Sequence, residues 1–176
     1  MSRPFLSLGS INADFHFEVS QDLSGGGTLP ARSFVQRAGG KGANRAYFAH
    51  RLGISATLLG RVGKDHFATQ ALEPLQLLGL DLSDVSASAT APTGVSMIAV
   101  PEDGEKTILL ASNANQEWDG PSLDSLRNVV NDAASEAVLT IDFEVSREAV
   151  EVALNAAGER QLRVIADGSF GQEVRP

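Results

Sequence analysis

Apolar residues along the chain follow two spacings that alternate from one end to the other. Four stretches place apolar residues three or four positions apart and predict helices: 44–52, 66–78, 123–133 and 146–158. Continuous apolar runs predict four buried strands: 5–9, 55–62, 137–141 and 162–166. Strands that alternate with helices predict an α/β fold with a mainly parallel sheet, covered by helices on both faces in a three-layer α/β/α arrangement.

Single residues set the expected ends and faces of the helices. Asp65 and Ser146 each precede a helix and predict N-caps. Pro74 lies inside the second helix and predicts a kink or a break there. In the last helix, Leu154 is expected to lie on the buried face.

Two segments depart from the helix–strand alternation and predict a separate small sheet. Residues 15–19 alternate apolar and polar positions, and 33–37 form a second short strand. Residues 94–100 and 106–110 read as the arms of a hairpin around Asp103 and Gly104. The whole chain, 1–176, is therefore interpreted as part of one α/β domain with a β-flap formed by segments of about 15–37 and 94–110.

Composition narrows the classes of partner. A formal charge of −8 and an isoelectric point near 4.8 argue against a nucleic acid or an anionic membrane surface. There are no cysteines, and the three histidines lack the spacing of metal ligands, so no metal site is expected. No apolar stretch resembles a signal peptide or a membrane span, which makes a cytoplasmic location the default expectation.

A glycine-rich turn at residues 38–46, Ala-Gly-Gly-Lys-Gly-Ala-Asn-Arg-Ala, is the strongest candidate for chemistry. Glycines allow backbone N–H groups to approach a ligand, and a helix start favours hydroxyl-rich or anionic groups. Lys41 adds a cation, and Asn44 adds an amide that both donates and accepts. The spacing of neither common phosphate-binding loop is present. A tight turn with a capped helix is the alternative interpretation.

Further polar residues follow the predicted strands at their C-terminal ends, where open α/β sheets bind ligands. These residues and those of the turn are expected to share one edge: Asn12, Asp14, Gly40, Lys41, Asn44, Asp142, Glu144 and Asp167. Each is also common in ordinary βα turns. Together, carboxylates, amides and one lysine favour several neutral hydroxyl groups, as on a polyol or a sugar.

Several motifs then resemble the ribokinase branch of the PfkB sugar-kinase family. They are Gly-Ser-Ile-Asn-Ala-Asp at 9–14, Gly-Gly-Lys-Gly-Ala-Asn at 39–44, Gly-Arg-Val-Gly-Lys-Asp at 60–65 and Asn-Ala-Asn at 113–115, with Glu144 after the central strand. The resemblance implies ATP-dependent phosphorylation of a sugar hydroxyl with Mg²⁺, and a β-lid that often forms a dimer contact. It also implies a substrate site formed by Asn12, Asp14, Gly40, Lys41, Asn44 and Glu144.

One departure from the family is large. Its members are nearly twice as long, and their later half carries an Asp-Thr-x-Gly-Ala-Gly-Asp segment with the catalytic base and most of the ATP site. The sequence contains no such segment, so no catalytic residue or ATP contact is assigned to it. We expect this chain to be the sugar-binding and lid half of a longer kinase, or to pair with another chain.

Three functions therefore remain open. The first is half of a ribokinase-type sugar kinase. The second is a truncated, non-catalytic sugar-binding module or partner subunit, and the third is a structural dimer formed through the lid. Ribose is the favoured sugar, with nucleosides, deoxyribose and phosphorylated hexoses as alternatives.

Overall fold

The computed structural model of the chain describes residues 4–20 and 27–168. Nine strands lie in this part of the chain: β1 (Phe5–Leu8), β2 (Asn12–Val19), β3 (Ala31–Gly39), β4 (Ala56–Val62), β5 (Val85–Ala87), β6 (Gly94–Val100), β7 (Thr107–Ala111), β8 (Val138–Asp142) and β9 (Arg163–Asp167). Four α-helices accompany them: α1 (Lys41–Arg51), α2 (His66–Leu77), α3 (Gly120–Asp132) and α4 (Arg147–Glu159). A 3₁₀ turn, Asn113–Gln116, follows β7.

The larger sheet confirms the predicted α/β class. It has five strands in the order β5-β4-β1-β8-β9, and every neighbouring pair is parallel. Adjacent residues of β4 belong to different cores: Leu58 packs with the α1 and α2 side, and Leu59 packs with the α3 and α4 side. Since successive side chains of a strand point to opposite faces, helices cover both faces of the sheet.

A second sheet of four strands, in the order β3-β2-β6-β7, contains the predicted hairpin. Strands β6 and β7 are antiparallel, with Val95 opposite Ala111. Strand β2 is parallel to β6 and antiparallel to β3. We call these four strands the small sheet. The flap segment expected at about 15–37 includes residues 21–26, which lie outside the described residues.

Two of the small-sheet strands are longer than the sequence suggested. Strand β2 begins at Asn12 and not at Phe15, and β3 continues to Gly39. Asn12 and Asp14 therefore belong to β2 itself, whereas the sequence placed them in the turn after β1. Because residues two apart on a strand share a face, Asn12 and Asp14 point to the same side of the small sheet.

Several local expectations differ from the structure. Helix α2 continues unbroken through Pro74 to Leu77, although proline lacks the N–H that would donate to the Gln70 carbonyl. Helix α1 begins at Lys41, with Gly40 as N-cap, so Asn44 lies inside its first turn and does not open it. Leu154 is 41% exposed on α4 and does not face the core. The N-caps at Asp65 and Ser146 are confirmed, since each side chain accepts a backbone N–H of its helix.

Strand β9 is at one edge of the described five-stranded sheet, and Ile165 on it is 54% exposed. At the other edge lies β5, a three-residue strand that the sequence did not predict. Among the described helices, none has the length and apolar character needed to cross a bilayer.

Candidate functional site

The site is built around Ser10, which follows the C-terminal end of β1. The Ser10 hydroxyl donates to Glu144 Oε2 at 2.7 Å and accepts the backbone N–H of Lys41 at 2.9 Å. The ammonium group of Lys41 lies 3.0 Å from the other carboxylate oxygen, Glu144 Oε1. Three chain segments far apart in sequence thus meet at one point, as expected for the C-terminal edge of a parallel sheet.

The glycine-rich turn lets helix α1 start directly against the end of β1. Gly40 has a φ of 95°, and a Cβ added there would lie 2.3 Å from the Ser10 carbonyl oxygen. A Cβ added to Gly42 would lie 2.6 Å from the backbone of Gly9. Larger residues at either position would push the helix away from the strand. The close approach lets Ser10 accept two N–H groups of the helix start, that of Lys41 at 2.9 Å through its hydroxyl and that of Ala43 at 3.2 Å through its carbonyl oxygen.

The two carboxylates at the C-terminal end of β8, Asp142 and Glu144, have different environments. Glu144 is about a quarter exposed and contacts Ser10 and Lys41. Asp142 was expected at the same edge but is completely buried. Burial raises the pKa of Asp142, and the nearby Arg45 guanidinium opposes that rise. Asp142 therefore lies beneath the site and not on its surface.

Asn12 is held by a second amide from the 3₁₀ turn. The Asn115 Nδ2 atom donates to Asn12 Oδ1 at 2.8 Å, and Asn115 Oδ1 accepts the Ile11 N–H at 3.0 Å. Both asparagines are almost fully buried. Since the carbonyl end of the Asn12 amide is engaged by Asn115, its NH₂ end is the one available for another partner.

Asp14 lies on the same face of β2, opposite a serine of β6. The Ser96 hydroxyl donates to Asp14 Oδ1, and the two residues are register partners. Burial raises the pKa of Asp14, and the charge of Glu144 adds to the rise, while Ser96 and His16 oppose it. Glu144 is thus near enough to Asp14 to influence its charge. A Cβ on Gly39 would lie 2.0 Å from the Asp14 carboxylate, so glycine at 39 is required for this placement.

Two of the remaining predicted residues lie at the margin of this cluster. Asn44 is exposed and lines a groove of about 350 Å³ together with Gly39, Tyr47 and Phe48. Asp167, at the end of β9, lies 3.8 Å from Arg45. The structure thus joins Lys41 and Glu144 directly through Ser10 and places Glu144 near enough to influence Asp14, whereas Asn44 lines the groove beside Tyr47.

Four residues that were not proposed as site residues support the cluster: Ser10, Arg45, Ser96 and Asn115. Ser10 and Asn115 lie within motifs already singled out, so their polar side chains in otherwise apolar segments were available signals. Ser96 alternates with the apolar Val95 and Met97, which marks the face of β6 it occupies. Nothing local to Arg45 indicated that its partner is Asp142, since the two are 97 positions apart.

Over residues 4–20 and 27–168, no group of three or more histidine or acidic side chains is arranged to hold an ion. The residues described here therefore provide no assignment for Mg²⁺, and none for ATP.

Comparison with known proteins gives the same family as the motifs in the sequence. The family model described as pfkB family carbohydrate kinase matches residues 4–173. A ribokinase of Schizosaccharomyces pombe is 34% identical over 164 residues, which covers 90% of this chain and 51% of the relative. A ribokinase of Haemophilus influenzae is 29% identical over 172 residues, covering 98% and 55%.

Solved structures show the same relationship. The structure of Arabidopsis thaliana ribokinase complexed with ribose and ATP superposes with a TM-score of 0.78 and 26% identity, covering 98% of this chain and 55% of that one. Ribokinase from Giardia lamblia gives a TM-score of 0.84 with 27% identity over 99% and 53% of the two chains. The chain spans about half the length of the curated relatives it matches.

Proposed function

This chain belongs to the pfkB family of carbohydrate kinases, and we propose that it provides the sugar-binding and lid half of a ribokinase-type sugar kinase. The reaction would be the ATP-dependent phosphorylation of a sugar hydroxyl. The observation that carries this proposal is the meeting of Ser10, Lys41 and Glu144 at the end of β1, with Asp14 near enough for Glu144 to influence its charge.

The chemistry of these groups suits a neutral carbohydrate. An ionised carboxylate only accepts hydrogen bonds, and sugar hydroxyls donate to it. The Asn12 NH₂ group and the Lys41 ammonium offer donors to the hydroxyl oxygens on the same ligand. Because Lys41 forms an ion pair with Glu144, its charge is already matched within the protein. In this proposal Gly40 and Asn44 complete the cup from the helix side.

The small sheet would act as the lid. Its strand β2 carries Asn12 and Asp14, so closing the sheet over a ligand would move two binding groups together. The junction at Gly39 and Gly40 connects β3 to α1 and contains a positive φ, which suits a hinge. Excluding water matters for a phosphoryl transfer, since water competes with the sugar as acceptor.

ATP and Mg²⁺ would be bound by groups outside this chain. Phosphoryl transfer needs in-line placement of donor and acceptor and neutralisation of the developing charge. The ribokinase structure from Arabidopsis thaliana is a complex with both ribose and ATP. We therefore place the nucleotide and the catalytic base in the other half of the kinase, either on a longer polypeptide or on a partner chain.

A sugar-binding module without catalytic activity is the second candidate, because the chain spans only about half of its relatives. A dimer through the small sheet is compatible with either function. Met97 and Leu109 are 46% and 59% exposed on that sheet. Together with Phe17 they line an apolar groove of about 220 Å³.

Isothermal titration calorimetry with ribose tests the proposal. We expect heat of binding, and we expect Asp14→Ala to raise the Kd roughly 10- to 100-fold, the value of one hydrogen bond to a charged group. Asp124→Ala removes an exposed carboxylate of α3 and should leave the Kd unchanged. An unchanged Kd in Asp14→Ala would refute the placement of Asp14.

A second assay separates the two candidate functions. Coupled ATP turnover with ribose is expected to be absent from this chain alone and present when the missing half is supplied. Ribose binding without turnover in the completed protein would favour the binding module. No heat with ribose, 2-deoxyribose or a nucleoside would leave only the structural dimer.

A further inference from the structure

A buried ion pair lies directly beneath the proposed sugar site. The guanidinium of Arg45 on α1 donates to Asp142 Oδ2 at 2.9 Å, and the Asp142 side chain has no solvent exposure. The same Nη2 atom donates to the Leu8 carbonyl oxygen at 3.1 Å. The pair therefore ties helix α1 to the ends of β1 and β8.

The Asp142 carboxylate also holds two backbone segments of the site. Its oxygens accept the N–H of Ser10 at 3.2 and 3.3 Å and the N–H of Glu144 at 3.0 Å. These are the two residues whose side chains position Lys41. Room for the arrangement exists because residue 9 is glycine: a Cβ there would lie 1.8 Å from Asp142 Oδ2 and 2.8 Å from Arg45 Nη2.

The charges of the pair depend on each other. A carboxylate out of water is unfavourable unless it is paired and hydrogen-bonded, and removing one partner leaves the other uncompensated. Among the described residues, the charge of Glu144 adds to the raised pKa of Asp142, and Asp167 lies 3.8 Å from Arg45. Lys41 influences Asp142 through its ion pair with Glu144. Arg45 is the largest influence that favours the charged Asp142 carboxylate, and the backbone N–H groups of Glu144 and Ser10 act in the same direction.

We infer that Arg45 and Asp142 act as a unit of positioning residues, which fixes the backbone at Ser10 and Glu144 and so sets the geometry of Lys41 and Glu144 for the sugar. Neither residue needs to contact the ligand. The inference rests on the proposed function for its ligand, while the positioning itself is a property of the chain. A neutral pair with matching hydrogen bonds, glutamine at 45 with asparagine at 142, would serve the same purpose.

The experiment compares Arg45→Gln, Asp142→Asn and the double variant in the full chain. Each single variant is expected to raise the Kd for ribose at least 10-fold, and the double variant is expected to return it to within about threefold of the unsubstituted chain. Circular dichroism confirms that each sample is folded. The matched control, Arg127→Gln with Asp124→Asn, removes an exposed pair on α3 and should change nothing.

Amide proton shifts of Ser10 and Glu144 provide a readout independent of ligand. Both report the Asp142 carboxylate, so they should move together as the pH is lowered. In Arg45→Gln this movement should begin at a higher pH than in the unsubstituted chain, because the guanidinium that opposes the rise of the Asp142 pKa is gone. Additive losses of affinity in the double variant, or amide shifts that titrate at the same pH in folded Arg45→Gln, would overturn the inference. Absence of ribose binding by the unsubstituted chain would refute the proposed function instead, and the amide shifts alone would then decide the positioning role.

Discussion

Replacing Asn115 with alanine should lower the free energy of unfolding by more than its position in a short turn suggests. The Asn115 side chain is 1% exposed and bridges β2 to the 3₁₀ turn. Its loss leaves two buried groups without a partner, the Ile11 N–H and Asn12 Oδ1, which it meets at 3.0 and 2.8 Å. A further bond to the Ile11 carbonyl, at 3.3 Å, is weaker.

The magnitude follows from these contacts. Each buried group left without a hydrogen-bond partner costs about 1–3 kcal/mol, so the two together should lower the free energy of unfolding of Asn115→Ala by about 2–6 kcal/mol. That is a large share of the roughly 5–15 kcal/mol by which a domain is stable. With an m-value of about 2 kcal/mol per M in urea, the unfolding midpoint should fall by about 1–3 M.

Urea unfolding followed by tryptophan fluorescence is a suitable assay. Trp118 is the single tryptophan of the chain, and its Nε1 donates to the Asn115 carbonyl oxygen at 3.0 Å. Gln116→Ala is the matched control, because it removes an exposed amide of the same turn that makes one bond, to the Glu144 carbonyl. The control should shift the midpoint by less than about 0.3 M, as an exposed substitution does. A shift that small in Asn115→Ala as well would show that water replaces the lost bonds and that the bridge contributes little.

The remaining predictions concern the sugar site. Burial raises the pKa of Asp14 above its usual value of about 3.9, so ribose affinity should weaken as the pH falls through that raised pKa. Ribose binding in this pH range should also release protons, which calorimetry in buffers of different ionisation enthalpy measures. Ribose binding without proton release in this range would contradict the prediction. The same shift destabilises the ligand-free fold once the pH rises above it, so stability at this residue runs opposite to affinity. Gly39→Ala should weaken ribose binding at least 10-fold, because the added Cβ would lie 2.0 Å from the Asp14 carboxylate. Gly53→Ala is the control, since Gly53 has a φ of 76° and a Cβ added there would have no atom within 4 Å. This control should lower the free energy of unfolding by roughly 1–2 kcal/mol and leave the Kd for ribose unchanged.

Local patterns were sufficient to predict most of the fold. The run at β4 is apolar on consecutive residues because Leu58 and Leu59 are buried on opposite faces, which is the signature of a strand covered on both sides. The hairpin was visible from Asp103 and Gly104. Two local expectations failed: helix α2 continues through Pro74, and the apolar Leu154 extends a helical stripe that the core does not reach.

The supporting part of the site depended on contacts that no local pattern encodes. Asn115 meets Ile11 across 104 positions, and Arg45 meets Asp142 across 97. The sequence identified Asp142 and Glu144 as a similar pair of acids after one strand. Their roles separate only when packing buries the first against a guanidinium and leaves the second beside Lys41. The placement of the proposed ligand groups stays a prediction until a sugar is bound.

The contact between Gly9 and Gly42 has a practical consequence for protein engineering. A Cβ on Gly42 would overlap the Gly9 backbone, so the two turns fit together only in their present form. The two turns are far apart in the sequence but pack directly against each other. Transfer of the proposed sugar site to another scaffold would require both loops together, with their glycines unchanged, because each loop packs against the other.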